Sequence, residues 1–79
     1  MKFKTLNSMY EVNTDKKEIR RLYGKREPTD RQGQDGEWRP YISVYVKLGV
    51  SAVILWRQEN GLLKTTVTSA ITETDVVLN

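Results

Sequence analysis

Two runs in the middle of the chain, residues 41–48 and 50–56, leave few choices of fold. Each is dense in β-branched and aromatic residues, and Gly49 stands at the join. Such runs suit a pleated, half-buried surface, and a glycine between them suits a turn. Along the first, Ile42, Val44, Val46 and Leu48 share one face, with Tyr41, Ser43, Tyr45 and Lys47 on the other. Along the second, Val50, Ala52, Ile54 and Trp56 lie together, opposite Ser51, Val53, Leu55 and Arg57. The faces away from the expected core are only half polar. Strands of that kind are partly covered on both sides, as in a small barrel or a sheet that associates with a partner.

The flanking segments extend the pattern. Tyr10 and Val12 alternate with Met9, Glu11 and Asn13, which predicts a strand with one buried face, and residues 3–6 read as extended before a break at Asn7-Ser8. Asn13-Thr14-Asp15-Lys16 is turn chemistry, because Asn and Asp side chains bond nearby backbone amides. Residues 18–23 admit two readings. Ile19, Leu22 and Tyr23 have helical spacing, with Thr14 as a cap and Gly24 beyond the end. As a return strand, the segment places Ile19, Arg21 and Tyr23 on one face. The turn before it favours the hairpin. Residues 24–37 carry no apolar periodicity and are punctuated by Pro28, Gly33 and Asp35-Gly36, so they read as one long loop. Glu59-Asn60-Gly61 marks another turn. Beyond it Leu63, Thr65, Val67, Ser69 and Ile71 predict an inward face, with a threonine-rich outer face opposite. Residues 76–78 read as a short terminal strand.

These pieces fit one small domain spanning residues 1–79. The expected fold is an all-β antiparallel meander of five or six strands, curled into an SH3-like barrel or a strongly twisted sheet. A chain of 79 residues buries only about 60–70% of its unfolded surface, so its core is limited.

Composition narrows the chemistry. Cysteine and histidine are both absent, which removes disulfides, thiolate metal sites, the cysteine nucleophile and the commonest general base. Asp30, Asp35 and Glu37 lie close together but lack a calcium-loop pattern, and the glycines match no phosphate-cradling motif. The serines and threonines have no base at recognisable spacing. The expectation is a protein that is not an enzyme, with no cofactor and no metal. No apolar run nears the roughly 20 residues needed to span a bilayer, and Met-Lys-Phe-Lys has no apolar signal core behind it. A cytoplasmic protein without a membrane partner is expected.

The net charge of +3 is unevenly spread. Lys16, Lys17, Arg20, Arg21, Lys25 and Arg26 crowd one stretch against the single acid Glu18, and Arg31 and Arg39 follow, with Trp38 between aromatic neighbours Tyr23 and Tyr41. These nine residues, eight of them cations and the ninth Trp38, are the candidate binding site. Basic and aromatic residues together suit nucleic acid, where rings stack on bases and cations track phosphates. The interleaved acids Glu18, Glu27, Asp30, Asp35 and Glu37 suit a protein partner as well, since Arg and Trp are enriched in interface hot spots. Both partners stay open, as does a homo-oligomer built on the half-apolar sheet face. On either reading of 18–23, Arg20 and Arg21 point in different directions.

A wider likeness covers most of the chain. Thr5-Leu6-Asn7-Ser8-Met9-Tyr10-Glu11-Val12, Ile19-Arg20-Arg21-Leu22, Pro28-Thr29, Asp35-Gly36-Glu37-Trp38, Ile54-Leu55-Trp56 and Lys64-Thr65-Thr66 stand in an order that resembles small proteins encoded by bacteriophages. The resemblance implies an accessory protein acting in the host bacterial cytoplasm, or a small part of the virion. It carries no catalytic or binding residue with it.

Overall fold

The computed structural model describes residues 1–25, 34–57 and 60–75. The expected positions that fall outside these are Arg26, Glu27, Pro28, Asp30, Arg31, Gly33, Glu59 and the terminal strand at 76–78. The described residues are all strand and turn: β1 (Lys2–Thr5), β2 (Ser8–Asn13), β3 (Glu18–Gly24), β4 (Arg39–Pro40), β5 (Ser43–Tyr45), β6 (Ser51–Arg57) and β7 (Leu63–Thr74). Among them no helix is long and apolar enough to cross a membrane. Every pairing is antiparallel, and the spatial order is β4-β3-β2-β1-β7-β6-β5. The all-β expectation holds, as a sheet curled into a half-barrel.

Residues 15–23 settle as the return arm of a hairpin. Asn13 makes the turn, its side-chain oxygen accepting from the Lys16 amide at 3.1 Å, and Lys17 takes a positive φ of 53°. A nine-residue helix here would have had little to pack against, whereas β3 pairs with β2 along its whole length.

Two walls make the barrel. One holds β4, β3, β2, β1 and the end of β7; the other holds β5, β6 and the start of β7. The segment 39–45 joins them. Its first residues pair with β3, and the Tyr41 amide donates to the Lys17 carbonyl at 3.0 Å; the next amide, that of Ile42, donates to Leu55 of β6 at 2.8 Å. One short stretch thus meets both ends of the sheet.

The core lies inside the curl: Phe3, Tyr10, Val12, Ile19, Ala52, Ile54, Trp56 and Ile71, with Met1, Tyr41, Val44 and Val46 packed against it. Phe3 and Tyr10 stack with ring centroids 5.0 Å apart, and the Trp56 indole donates to Thr66 Oγ1 at 2.9 Å. The two central runs therefore do supply much of the core, with Val44, Val46, Ala52, Ile54 and Trp56 inward as expected, while Tyr41, expected on the opposite face, packs against the core as well. The first run is shorter than expected. Its strand ends at Tyr45, because Gly49, at φ 89°, turns the chain onto β7. The Gly49 amide donates to the Ile71 carbonyl and the Ile71 amide to Val50, both at 2.9 Å. Leu48 and Val50 are consequently exposed.

Two further expectations about side-chain direction are corrected, for one reason. A single extra residue in a strand reverses its alternation. Between Val53↔Val67 and Ser51↔Ala70 the register slips by one. Thr68 fills the gap: its hydroxyl accepts from the Ala52 amide at 2.9 Å and donates to the Ser69 carbonyl at 2.7 Å. Before the slip Thr66 faces the core while Leu63, Thr65 and Val67 face out; after it Ile71 is buried. The outer face of β7 is thus mixed rather than threonine-rich. In β3 the slip falls at Leu22, so Tyr23 leaves the face of Ile19 and Arg21 and pairs with Met9 on the outside.

Burial against the core raises the Tyr41 phenol above its ordinary 10.0. A raised folded-state value means that the neutral phenol stabilises fully below pH 10 and that this contribution is lost as pH rises through the folded value. Denaturant melts on the alkaline side should show stability falling with pH. Tyr41→Phe should flatten that fall, and an unchanged slope would mean Tyr41 ionises without cost.

Candidate functional site

The basic segment does not form one surface. Lys16 and Lys17 sit exposed at the tip of the β2–β3 hairpin, and Lys25 is exposed where the loop leaves β3. Arg20 points outward and Arg21 inward, as alternation along β3 requires. Arg39 pairs with Ile19 and has Glu37 beside it at 3.7 Å. Arg26 and Arg31 lie outside the described residues. Among the described candidates the structure lays Arg20 against Trp38.

That pair is built by register. Arg20 lies opposite Glu11 on β2, and its Nε donates to Glu11 Oε1 at 2.7 Å. Across on the other side, the guanidinium carbon stands 4.5 Å from the centroid of the Trp38 ring. A planar cation held by a carboxylate and laid on an indole gains from both contacts. Trp38 remains 36% exposed. Tyr23, also exposed, lies further along β3, its hydroxyl 3.4 Å from Met9 Sδ.

Around this pair the outer face of the first wall is a ladder of alternating charge. Lys2 faces Glu11, Glu11 faces Arg20, and Lys4 faces Glu73. Opposite charges directly across a sheet support its pairing and cancel at a distance. Within the cluster read from the sequence as positive, the charge of Arg20 is thereby met by Glu11 on the neighbouring strand.

Arg21 has a structural place. It is 6% exposed, and its Nε and Nη2 donate to the two oxygens of Asp35 at 2.6 and 3.3 Å. The Gly36 amide donates to the Arg21 carbonyl at 2.7 Å, with Gly36 at φ 83°, and the Lys25 amide to Asn7 at 2.8 Å. Both ends of the long loop are thus tied to the same part of the sheet. Gly24 leaves room for the guanidinium: a Cβ there would fall 2.5 Å from Arg21 Nη1. Asp35, set aside in the sequence as a failed metal ligand, is the group that holds this arginine. Their spacing of fourteen residues gave no signal.

The second wall presents a different surface that the candidate residues missed. Tyr45, Val53 and Val67 form one row across its outer face, followed by Ser43, Leu55 and Thr65, then Arg57 and Leu63. Tyr45 is 55% exposed, Val53 37% and Val67 63%. The half-apolar alternation of residues 51–57 was the signal for it.

No protein-family model, curated protein or solved structure matches this chain.

Proposed function

We propose that this domain is a non-enzymatic binding module that engages a protein, and that it serves as a phage-type accessory protein in the host bacterial cytoplasm. The supporting observation is the Arg20–Trp38 pair. It is an aromatic platform stiffened by a guanidinium whose charge Glu11 already meets. Arg and Trp in this rigid, half-exposed arrangement match the residues that anchor protein interfaces. A polyanion would need uncommitted cations on one face. Here Arg20, Arg21 and Arg39 each have a carboxylate beside them, and Lys16, Lys17 and Lys25 are scattered over two loops.

Affinity capture from nuclease-treated bacterial host lysate tests the reading. The domain should retain a protein partner, and Trp38→Ala should weaken that binding about thirtyfold or more, with the circular dichroism unchanged. Binding that disappears with nuclease, or that falls steeply with salt on naked DNA or RNA, would assign the surface to nucleic acid instead.

A further inference from the structure

We infer that Asn60–Gly61, in the turn between β6 and β7, is a modification site: it deamidates through a cyclic imide and ends as an aspartyl or isoaspartyl link. The site is independent of the Arg20–Trp38 platform. The chain has two pairs in which Asp or Asn precedes glycine, Asp35–Gly36 and Asn60–Gly61. By sequence both have the same chemistry. Glycine leaves its backbone nitrogen unshielded, and attack of that nitrogen on the preceding side-chain carbonyl carbon closes a five-membered ring. The fold separates them.

At Asp35–Gly36 both reacting groups are occupied. The two carboxylate oxygens accept from Arg21 at 2.6 and 3.3 Å, and the Gly36 N–H donates to the Arg21 carbonyl at 2.7 Å. Ring closure there would break the clasp around a buried guanidinium. At Asn60–Gly61 the contacts favour the reaction. Asn60 Oδ1 accepts from the Leu62 amide at 3.0 Å. That bond spans Gly61, so it folds the side-chain carbonyl back over the residue whose nitrogen attacks. It also places an N–H donor on the oxygen that becomes negative in the tetrahedral intermediate. Gly61 holds φ at 84°, and a Cβ built on it would meet nothing within 4 Å. Asn60, Gly61 and Leu62 are all exposed, so hydroxide and water reach the turn.

The reaction needs only water and base. Hydroxide takes the Gly61 amide proton, and the nitrogen bonds to Asn60 Cγ. The Cγ–Nδ2 bond breaks, and Nδ2 leaves as ammonia with a proton from water. A second water opens the ring. Attack at Cγ breaks its new bond to nitrogen and gives aspartate in the ordinary chain. Attack at the Asn60 main-chain carbonyl carbon breaks the bond from that carbon to the Gly61 nitrogen, and the chain then runs through Cγ as isoaspartate. Either product replaces an amide by a carboxylate, so the net charge falls one unit below +3. The isoaspartyl product also lengthens the backbone of a turn whose strands first pair at Arg57 and Leu63.

Incubation of the folded protein at neutral and alkaline pH, followed by mass spectrometry of tryptic fragment 58–64, tests this. The fragment should gain about 1 Da, faster as pH rises, with isoaspartate identified by electron-transfer fragmentation. In the native protein the rate should be within about tenfold of that in a synthetic copy of the fragment, or faster. Asn60→Gln should remove the gain with the circular dichroism unchanged, because the longer side chain no longer closes a five-membered ring. Asp35 should form isoaspartate in urea and not in the native state. Three results overturn the inference. One is a native rate more than about tenfold below that of the synthetic fragment, which would mean that the turn protects Asn60. Another is an equal mass gain in Asn60→Gln, which would put the reaction at another residue. The third is native isoaspartate at Asp35 as rapid as at Asn60, which would deny that the contacts described here decide between the two.

Discussion

Asp35→Ala should lower the stability of this domain by about 2–3 kcal/mol, although the Asp35 side chain is itself partly exposed. The cost arises on the other partner. Arg21 is buried with its guanidinium on both oxygens of Asp35, and removing the carboxylate takes two charge-assisted hydrogen bonds from that cation where water scarcely reaches. The figure sits below the full cost of breaking a buried pair because Asp35 is partly solvated and its attraction partly screened. Arg21→Met combined with Asp35→Ala should restore part of the loss. The double variant has no buried charge to strand, and methionine fills part of the same space beside Gly24. Urea unfolding of the two single variants and the double variant checks this. A neutral Asp35→Ala would show that Arg21 keeps its hydration, and a double variant worse than the single would show that packing, not charge, dominates there.

Trp56→Ala should be more damaging still, by about 3–5 kcal/mol. Trp56 closes one end of the core, below Ile54 and Ala52 on the same strand, and its indole N–H is satisfied by Thr66 across the sheet. Truncation removes a large apolar surface and leaves a cavity that two sheet walls cannot collapse to fill. Domains of this kind have only about 5–15 kcal/mol in total, so the variant should be partly unfolded at moderate temperature. Thr66→Val isolates the polar part. It keeps the shape and removes the acceptor, for an expected loss of about 1–2 kcal/mol. Equilibrium denaturation followed by circular dichroism reads both. A Trp56→Ala protein within 1 kcal/mol of the parent would place the indole outside the core.

Much of the architecture could be read directly from alternation. The pattern of Tyr10 and Val12, the turn at Asn13 and the inward set Ala52, Ile54 and Trp56 are local properties, and the strands realise them. What could not be read depends on partner strands. The slips at Leu22 and at Thr68–Ser69 are decided by register against β2 and β6, and each one turned a correctly recognised strand partly inside out. The candidate site suffered most from this. Six basic residues between Lys16 and Arg26 suggested a cationic surface because Glu18 was the one acid near them in sequence. Glu11 and Asp35 neutralise Arg20 and Arg21 from other elements, through pairings that no local window contains. Arg20 laid on Trp38 was equally hidden, since it needs β4 to return beside the start of β3.

The seam between β1 and β7 has a consequence in time. Phe3 meets Thr74 and Lys4 meets Glu73, residues from opposite ends of the described chain. The β2–β3 and β6–β7 hairpins can form as soon as their own residues are free, within microseconds. The walls they belong to cannot be joined until the last strand is present, and loop closure over that distance makes such topologies fold in milliseconds to seconds. During synthesis at about 5–20 residues per second, Phe3, Tyr10 and Val12 must therefore stay wet for several seconds while β7 is being made.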